Sequence, residues 1–430
     1  MRFVLWYIKL KLKSFELVFG CMNGSLAKIM VVAITVLLLG AGAFAYSKWG
    51  EKANVVVVGK EEGNGENVKG EDRPVVTVDE NKEVLEEKPM EVDVGTDISM
   101  RRVLSNGYHI FQTWNNCAPA ALSMALSHFG VRVSQEVLAS EIRPNNNLQG
   151  KNDNKSTPPE ELAAKAREYG LITYLRADGD IDILQRLVSA GVPVVMRTLL
   201  NNREDYAHYR VIKGYDKDKG VIIQDDSYDG KELEFSYDKL LSLWRPFNYV
   251  YLVIVDEEKK EAVEAILGSE LDEKVSWRNA RDRSLAELAK NSADQVSRMN
   301  LSVAYYYLGE YKNSTLEFEK VEPYLTTHTI WYQIEPIRAY FELGNYDRVF
   351  ALSQAISDDG NTMDTHLLLL RGQSYEKLGN LSAAKIAYEK AVRSNINSLE
   401  ARASLTRVGG DPDSLSGGGG TQSSQPIMGP

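Results

Sequence analysis

Only two cysteines and five histidines occur in the 430 residues, so a sulfur nucleophile can meet an imidazole base at few places. Cys117 stands directly before the apolar run Ala118 to Phe129, and the pattern predicts that a helix begins at it. Free backbone N–H groups and the positive end of the helix dipole there favour a thiolate over a thiol. Gln112 lies five residues earlier. Its side-chain amide, with the backbone N–H of Cys117, suits the oxygen of a carbonyl under attack by the sulfur. His208 opens the strand-like run His208 to Asp216, ninety-one residues after the cysteine. An imidazole on a strand can hydrogen-bond the sulfur through one nitrogen and be oriented through the other. The next strand, Val221 to Gln224, runs into Asp225-Asp226 and returns a carboxylate beside it. The other histidines are poorer bases. His109 is too near Cys117 in sequence, His128 lies at the far end of the same helix, and His328 and His366 fall in a later helical region. No His-Glu-x-x-His, cysteine pair, carboxylate cluster at ligand spacing or phosphate loop is present, so no metal and no cofactor is expected.

These residues need a scaffold. After the helix from Cys117, closed by Gly130, Ser134 can cap a second helix, and Thr157-Pro158-Pro159-Glu160-Glu161 opens a third that ends at Gly170. Leu171 to Leu175, Val192 to Thr198, Tyr209 to Lys213, Val221 to Gln224 and Tyr249 to Val255 read as strands. Residues 97–257 are therefore expected to form an α+β domain with its helices leading.

The order of these features (Gln, Cys at a helix start, His on a later strand, Asp on the next) resembles the papain-like cysteine peptidases. More narrowly, the segment is similar to the C39-like peptidases, the family that includes bacteriocin-processing proteases. The likeness covers most of 105–257, through Gln112-x-x-x-x-Cys117-x-Pro119, Ala121-Leu122, His208-Tyr209-x-Val211-Ile212-x-Gly214-Tyr215-Asp216, Asp225 and Tyr237-x-x-x-Leu240-x-x-x-Trp244. The resemblance implies a papain-like fold in which Cys117 is the nucleophile, His208 the base and acid, Asp225 the orienter and Gln112 the oxyanion donor. Two positions depart from the pattern. Ala118 replaces the usual Gly, adding a methyl beside the nucleophile, and Asp226 replaces the Pro that commonly follows the acid.

The region 258–408 repeats with a period of 35 residues. Tyr305, Tyr340 and Tyr375 keep this spacing, as do Gly309, Gly344 and Gly379, and Ala304, Ala339 and Ser374. Each unit reads as a helix pair and resembles the tetratricopeptide repeat, which implies an all-α module for a protein partner or for self-association.

Toward the N-terminus, Ile29 to Ser47 is a run without charge, long enough for a transmembrane helix. The basic residues of 1–28 then place that end in the cytoplasm and the rest outside. Ala43-Phe44-Ala45 permits the alternative of a signal cleaved near Ala45 and a secreted product. Cys21 and Cys117 lie on opposite sides of the apolar run, so no intrachain disulfide is expected. An acidic linker occupies 48–96; the stretch 51–98 holds fourteen acids against six bases and carries most of the net charge of −10. A Gly/Ser-rich tail fills 409–430. The net negative charge argues against nucleic-acid binding, which needs clustered cations, and no nucleic-acid partner is expected. The expectation is a membrane-anchored extracytoplasmic cysteine peptidase acting on a peptide or protein. A non-catalytic peptide-binding scaffold and a thiol-dependent acyl- or amidotransferase are the alternatives.

Overall fold

The computed structural model describes residues 99–144 and 156–418. The expected transmembrane helix and acidic linker lie outside these residues, as does most of the tail. No helix among the described residues is long and apolar enough to cross a membrane.

The first part is an antiparallel sheet with helices on both faces. Its strands are β1 (Arg101–Val103), β2 (Ile172–Arg176), β3 (Val194–Leu199), β4 (Ala207–Asp216), β5 (Val221–Asp226), β6 (Gly230–Ser236) and β7 (Tyr251–Val255). The order across the sheet is β2-β7-β3-β4-β5-β6, with β1 paired to the far end of β4. Strand alternation divides the apolar side chains between the faces. Val195, Val211, Leu252 and Ile254 pack with helices α1 (Cys117–Ser127), α2 (Gln135–Ile142) and α3 (Pro159–Glu168). Val194, Ile212, Tyr251 and Val253 pack on the other side with α4 (Ile181–Ser189), α5 (Tyr237–Trp244) and α6 (Lys260–Leu267). Each fully buried aliphatic side chain contributes about 1.5–3 kcal/mol, so the sheet is held from both sides.

Three local elements were not anticipated: β1, β6, and α4, the last signalled by Asp180, whose carboxylate accepts from the Ile183 N–H at 2.8 Å. The boundary at 258 also needs correction. Helix α6 buries Val263, Ile266 and Leu267 in the core around Trp244 and Val253, so it completes the sheet domain and does not head the repeats. Its apolar face finds its partner in the preceding sheet.

The helical part then runs through α7 (Glu273–Lys290), α8 (Gln295–Tyr307), α9 (Tyr311–Val321), α10 (Thr327–Tyr332), α11 (Glu335–Glu342), α12 (Tyr346–Asp358), α13 (Thr365–Lys377), α14 (Leu381–Ser394) and α15 (Leu399–Arg407). The 35-residue period has a backbone cause. Gly309, Gly344 and Gly379 end the first helix of each pair at φ values of +77°, +72° and +74°, which a side chain disfavours. One unit is irregular. Where the neighbouring units begin with a continuous helix of thirteen residues, this unit has α10 and α11, separated at Gln333 and Ile334. Pro336 has no N–H to donate and its ring would meet the carbonyl of Tyr332, so the helix cannot run through.

Candidate active site

Cys117 is the first residue of α1 and half-buried, while the rest of the helix is buried. The approach to it is fixed by unusual backbone and by clamps. Asn115 takes a φ of +55°, and its carbonyl accepts from the Arg143 guanidinium. Gln135 holds the preceding strand of chain, donating to the Phe111 carbonyl at 2.8 Å and accepting from the Thr113 N–H at 2.9 Å. The methyl of Ala118 points into the core of α1 and is 1% exposed, so it fills the interior rather than the space beside the sulfur.

His208, the second residue of β4, is buried and reaches Cys117 with a hydrogen bond. Its Nε2 lies 2.8 Å from Oδ1 of Asp226, which leaves Nδ1 for the sulfur. This is where the structure departs from the sequence expectation: the carboxylate on His208 belongs to Asp226 and not to Asp225. The reason is the phase of β5. Adjacent residues of a strand face opposite ways, and the register pairs Arg210 with Asp226, which puts Asp226 on the side of His208 and Arg210. A bulge between Gln224 and Asp226 on the β6 side adjusts the same turn. Asp225 looks the other way, 3.2 Å from the buried Lys213 ammonium, and accepts from the Glu232 N–H at 2.9 Å.

Asp226 is heavily engaged. Oδ1 also accepts from the N–H groups of Tyr228 and Asp229 at 2.7 and 3.1 Å, and Oδ2 meets Nε of the buried Arg210 at 3.0 Å. Arg210 is itself tied down, donating to the carbonyls of Leu199 and Leu200 at 2.9 and 2.7 Å. Gln112 sits beside this group. Its backbone N–H donates to the Ser227 carbonyl at 2.8 Å, and Ser227 Oγ donates to the amide oxygen at 2.9 Å. With the oxygen end held by Ser227, the amide nitrogen is the end left to donate elsewhere.

The electrostatics follow from these partners. Burial pushes the Cys117 thiol up, but the His208 hydrogen bond and charge, the Tyr209 backbone N–H and Arg143 outweigh it and leave the thiol below its usual range. Burial pushes His208 down, whereas the charge and hydrogen bond of Asp226 and the bond to Cys117 carry it up to about 9. Burial raises Asp226, but His208 and Arg210 hold it well below the usual carboxylate range. His208 is therefore charged near neutral pH, and its imidazolium favours the thiolate form of Cys117. Among the described residues no group of three or more His, Cys, Asp or Glu is arranged to hold a metal.

Of the residues singled out in the sequence, the structure brings Cys117 and His208 together and seats Gln112 on Ser227; the acid pair left Asp225 and Asp226 both open, and Ser227 and Arg143 were not foreseen. For Asp226 a signal was present in the adjacent acid pair, although choosing between the two needed the strand register. For Arg143, following Ile142 at the end of α2, no local pattern pointed to Cys117.

A buried imidazole between a carboxylate and the sulfur at a helix start, behind a sheet, is the arrangement of a cysteine peptidase of papain-like type. Residues 103–252 match the family model of the Peptidase C39 like family, and residues 365–395 that of a tetratricopeptide repeat. The segment 103–252 is thus a C39-like cysteine peptidase domain, followed in the same chain by a helical repeat. No curated protein matches the chain. Among solved structures, a candidate C39-like peptidase from Bacillus anthracis is 19% identical with a TM-score of 0.32, covering 37% of this chain and 99% of its own. The peptidase domain of Streptococcus ComA, a bi-functional ABC transporter involved in a quorum sensing pathway, is 18% identical with a TM-score of 0.29, covering 36% of this chain and 100% of its own.

Proposed function

We propose that the chain is a membrane-anchored, extracytoplasmic cysteine peptidase that hydrolyses peptide bonds with Cys117, His208 and Asp226, Gln112 serving as oxyanion donor. The observation that carries this reading is the single imidazole shared between Cys117 and Asp226. The thiolate attacks the carbonyl carbon of a peptide bond and forms a tetrahedral intermediate. The negative oxygen is received by the Cys117 backbone N–H and the Gln112 amide nitrogen. The His208 imidazolium passes its proton to the leaving amine, the C–N bond breaks, and a thioester remains on Cys117. Neutral His208 then takes a proton from water, the hydroxide adds to the thioester, and the acid leaves as the thiolate returns. Asp226 stays ionised throughout and holds the ring in one orientation. The apolar run 29–47 and its basic flank support the anchored, outward-facing placement, and the repeats support a protein partner or self-association.

The test is alkylation of the full chain with iodoacetamide at neutral pH. Labelling of Cys117 far faster than that of a free thiol, and strongly slowed in His208→Ala, is expected. Labelling at the free-thiol rate in both proteins would leave a tethered scaffold as the reading.

A further inference from the structure

Arg210 places a fully buried guanidinium on the strand that carries His208, two residues beyond it. Side chains two apart on a strand share a face, and the register sets Asp226 opposite Arg210, so imidazole and guanidinium share one carboxylate. They take different oxygens. Oδ1 faces His208 Nε2 at 2.8 Å, and Oδ2 faces Arg210 Nε at 3.0 Å. Among the described residues Oδ2 accepts no hydrogen bond, so the charge of Arg210 is what compensates it. The other two nitrogens of the guanidinium reach away from Asp226. Nη1 donates to Thr198 Oγ1 and to the Leu199 carbonyl at 2.9 Å, Nη2 donates to the Leu200 carbonyl at 2.7 Å, and the Phe235 ring lies 5.5 Å from the group. The guanidinium is thus fixed from the β3 side. The remaining charged and titratable groups about this trio are Cys117, Asp229, Tyr228 with its ring 6.4 Å from that of His208, and His109, whose Nε2 is 2.8 Å from the Asp226 carbonyl.

We propose that Arg210 is a positioning residue for catalysis, holding Asp226 charged and aimed at His208 at the stage when His208 has given up its proton. The proposal rests on the peptidase reading above and adds to it a fourth side chain that acts through the third. While His208 is an imidazolium, Asp226 has two cationic neighbours, and either would keep it ionised. Once the leaving amine has taken the proton, one of the two is gone, and a buried carboxylate without a counter-charge takes up a proton or turns away. With Arg210 on Oδ2 it does neither. The neutral ring keeps its Nε2–H on Oδ1, and Nδ1 is left to take the proton of the water that opens the thioester. The same guanidinium opposes protonation of His208, whereas Asp226 favours it. Arg210 therefore works with Asp226 on the orientation of the ring and against it on the ring's charge, and the two actions separate in experiment.

The experiment uses the full chain as wild type, Arg210→Met and Arg210→Lys. A cleaved member of a synthetic library of randomised octapeptides is found by mass spectrometry, and kcat/KM for it is measured against pH. The rate of iodoacetamide labelling of Cys117 is followed over the same range, so that His208 is read with or without a cleaved peptide. Arg210→Met should lower kcat/KM at neutral pH roughly 10- to 100-fold. It should also move the basic limb from about pH 9 to higher pH, the reverse of what loss of Asp226 would do. Arg210→Lys keeps the charge but cannot span Asp226, Leu199 and Leu200 together; its limb should stay near that of the wild type while kcat falls roughly three- to tenfold. A loss of rate in Arg210→Met with the limb unmoved is what a merely structural role gives and overturns the proposal, as does a wild-type rate. Should Arg210→Met show no cooperative unfolding in urea, Arg210→Lys decides, and a wild-type kcat there overturns it. Absence of wild-type cleavage together with labelling at the free-thiol rate overturns the peptidase reading instead.

Discussion

The β4–β5 hairpin buries a carboxylate on each of its faces, and the two have opposite uses. On one face Asp226 is paired with Arg210 and His208; on the other Asp225 is paired with Lys213. All five side chains are buried, both carboxylates are ionically satisfied, and they are neighbours in sequence. Only one face includes an imidazole that also touches a nucleophile. A buried acid beside a permanently charged partner is a structural ion pair, whereas the same acid beside an imidazole sets a proton's affinity and hence the state of the sulfur. Burial and charge alone do not separate the two; the third partner does.

Four substitutions sharpen that comparison. The largest effect is expected for His208→Ala, which removes the proton donor and the charge facing the sulfur; kcat/KM for a cleaved peptide should fall roughly 100- to 10,000-fold. Asp226→Asn should come next, at about a hundredfold, with a diagnostic change in pH dependence. The productive form requires imidazolium, which persists below about 9, and thiolate, which persists above the lowered range of Cys117. Since Asp226 is what raises His208, the Asn variant should move the basic limb of the kcat/KM profile from about pH 9 toward neutrality. A limb that stays in place would show that Asp226 does not set the imidazole. Ser227→Ala frees the oxygen end of Gln112 and removes about 1 kcal/mol of hydrogen bonding, so kcat should drop about fivefold with little change in KM. Asp225→Asn should alter kcat/KM about twofold at most, yet lower stability to urea by about 3 kcal/mol, because Lys213 loses its buried counter-charge. A catalytic loss in Asp225→Asn comparable to that of Asp226→Asn would erase the distinction between the faces.

Much of the site was legible because its parts carry local signals. Cys117 heads an unbroken apolar helix, and His208 opens a long strand. The choice between Asp225 and Asp226 was not legible, since it depends on register across β4 and β5 and on bulges at Ile212/Gly214 and Gln224/Asp226, which no single strand displays. The helical repeats were visible through glycines that recur where the backbone turns left-handed. The docking of repeats on the sheet domain was invisible for a related reason. It is carried by scattered polar pairs, such as Tyr307 on Glu160 at 2.7 Å, His366 on Glu161 at 2.9 Å and Asn395 on the Ile142 carbonyl at 3.0 Å, and such pairs leave no periodic trace. Helix α6 was assigned to the wrong side of the boundary because an amphipathic helix announces that it has a partner without saying on which side in sequence the partner lies.

The break before Pro336 has a consequence for the tandem array. Because the 35-residue spacing is kept on either side of the interruption, one unit is divided into two short helices without shifting those that flank it. Ile330, Trp331 and Ile334, on either side of the break, stay buried in the core shared by the repeats, so the chain changes direction there without opening the stack.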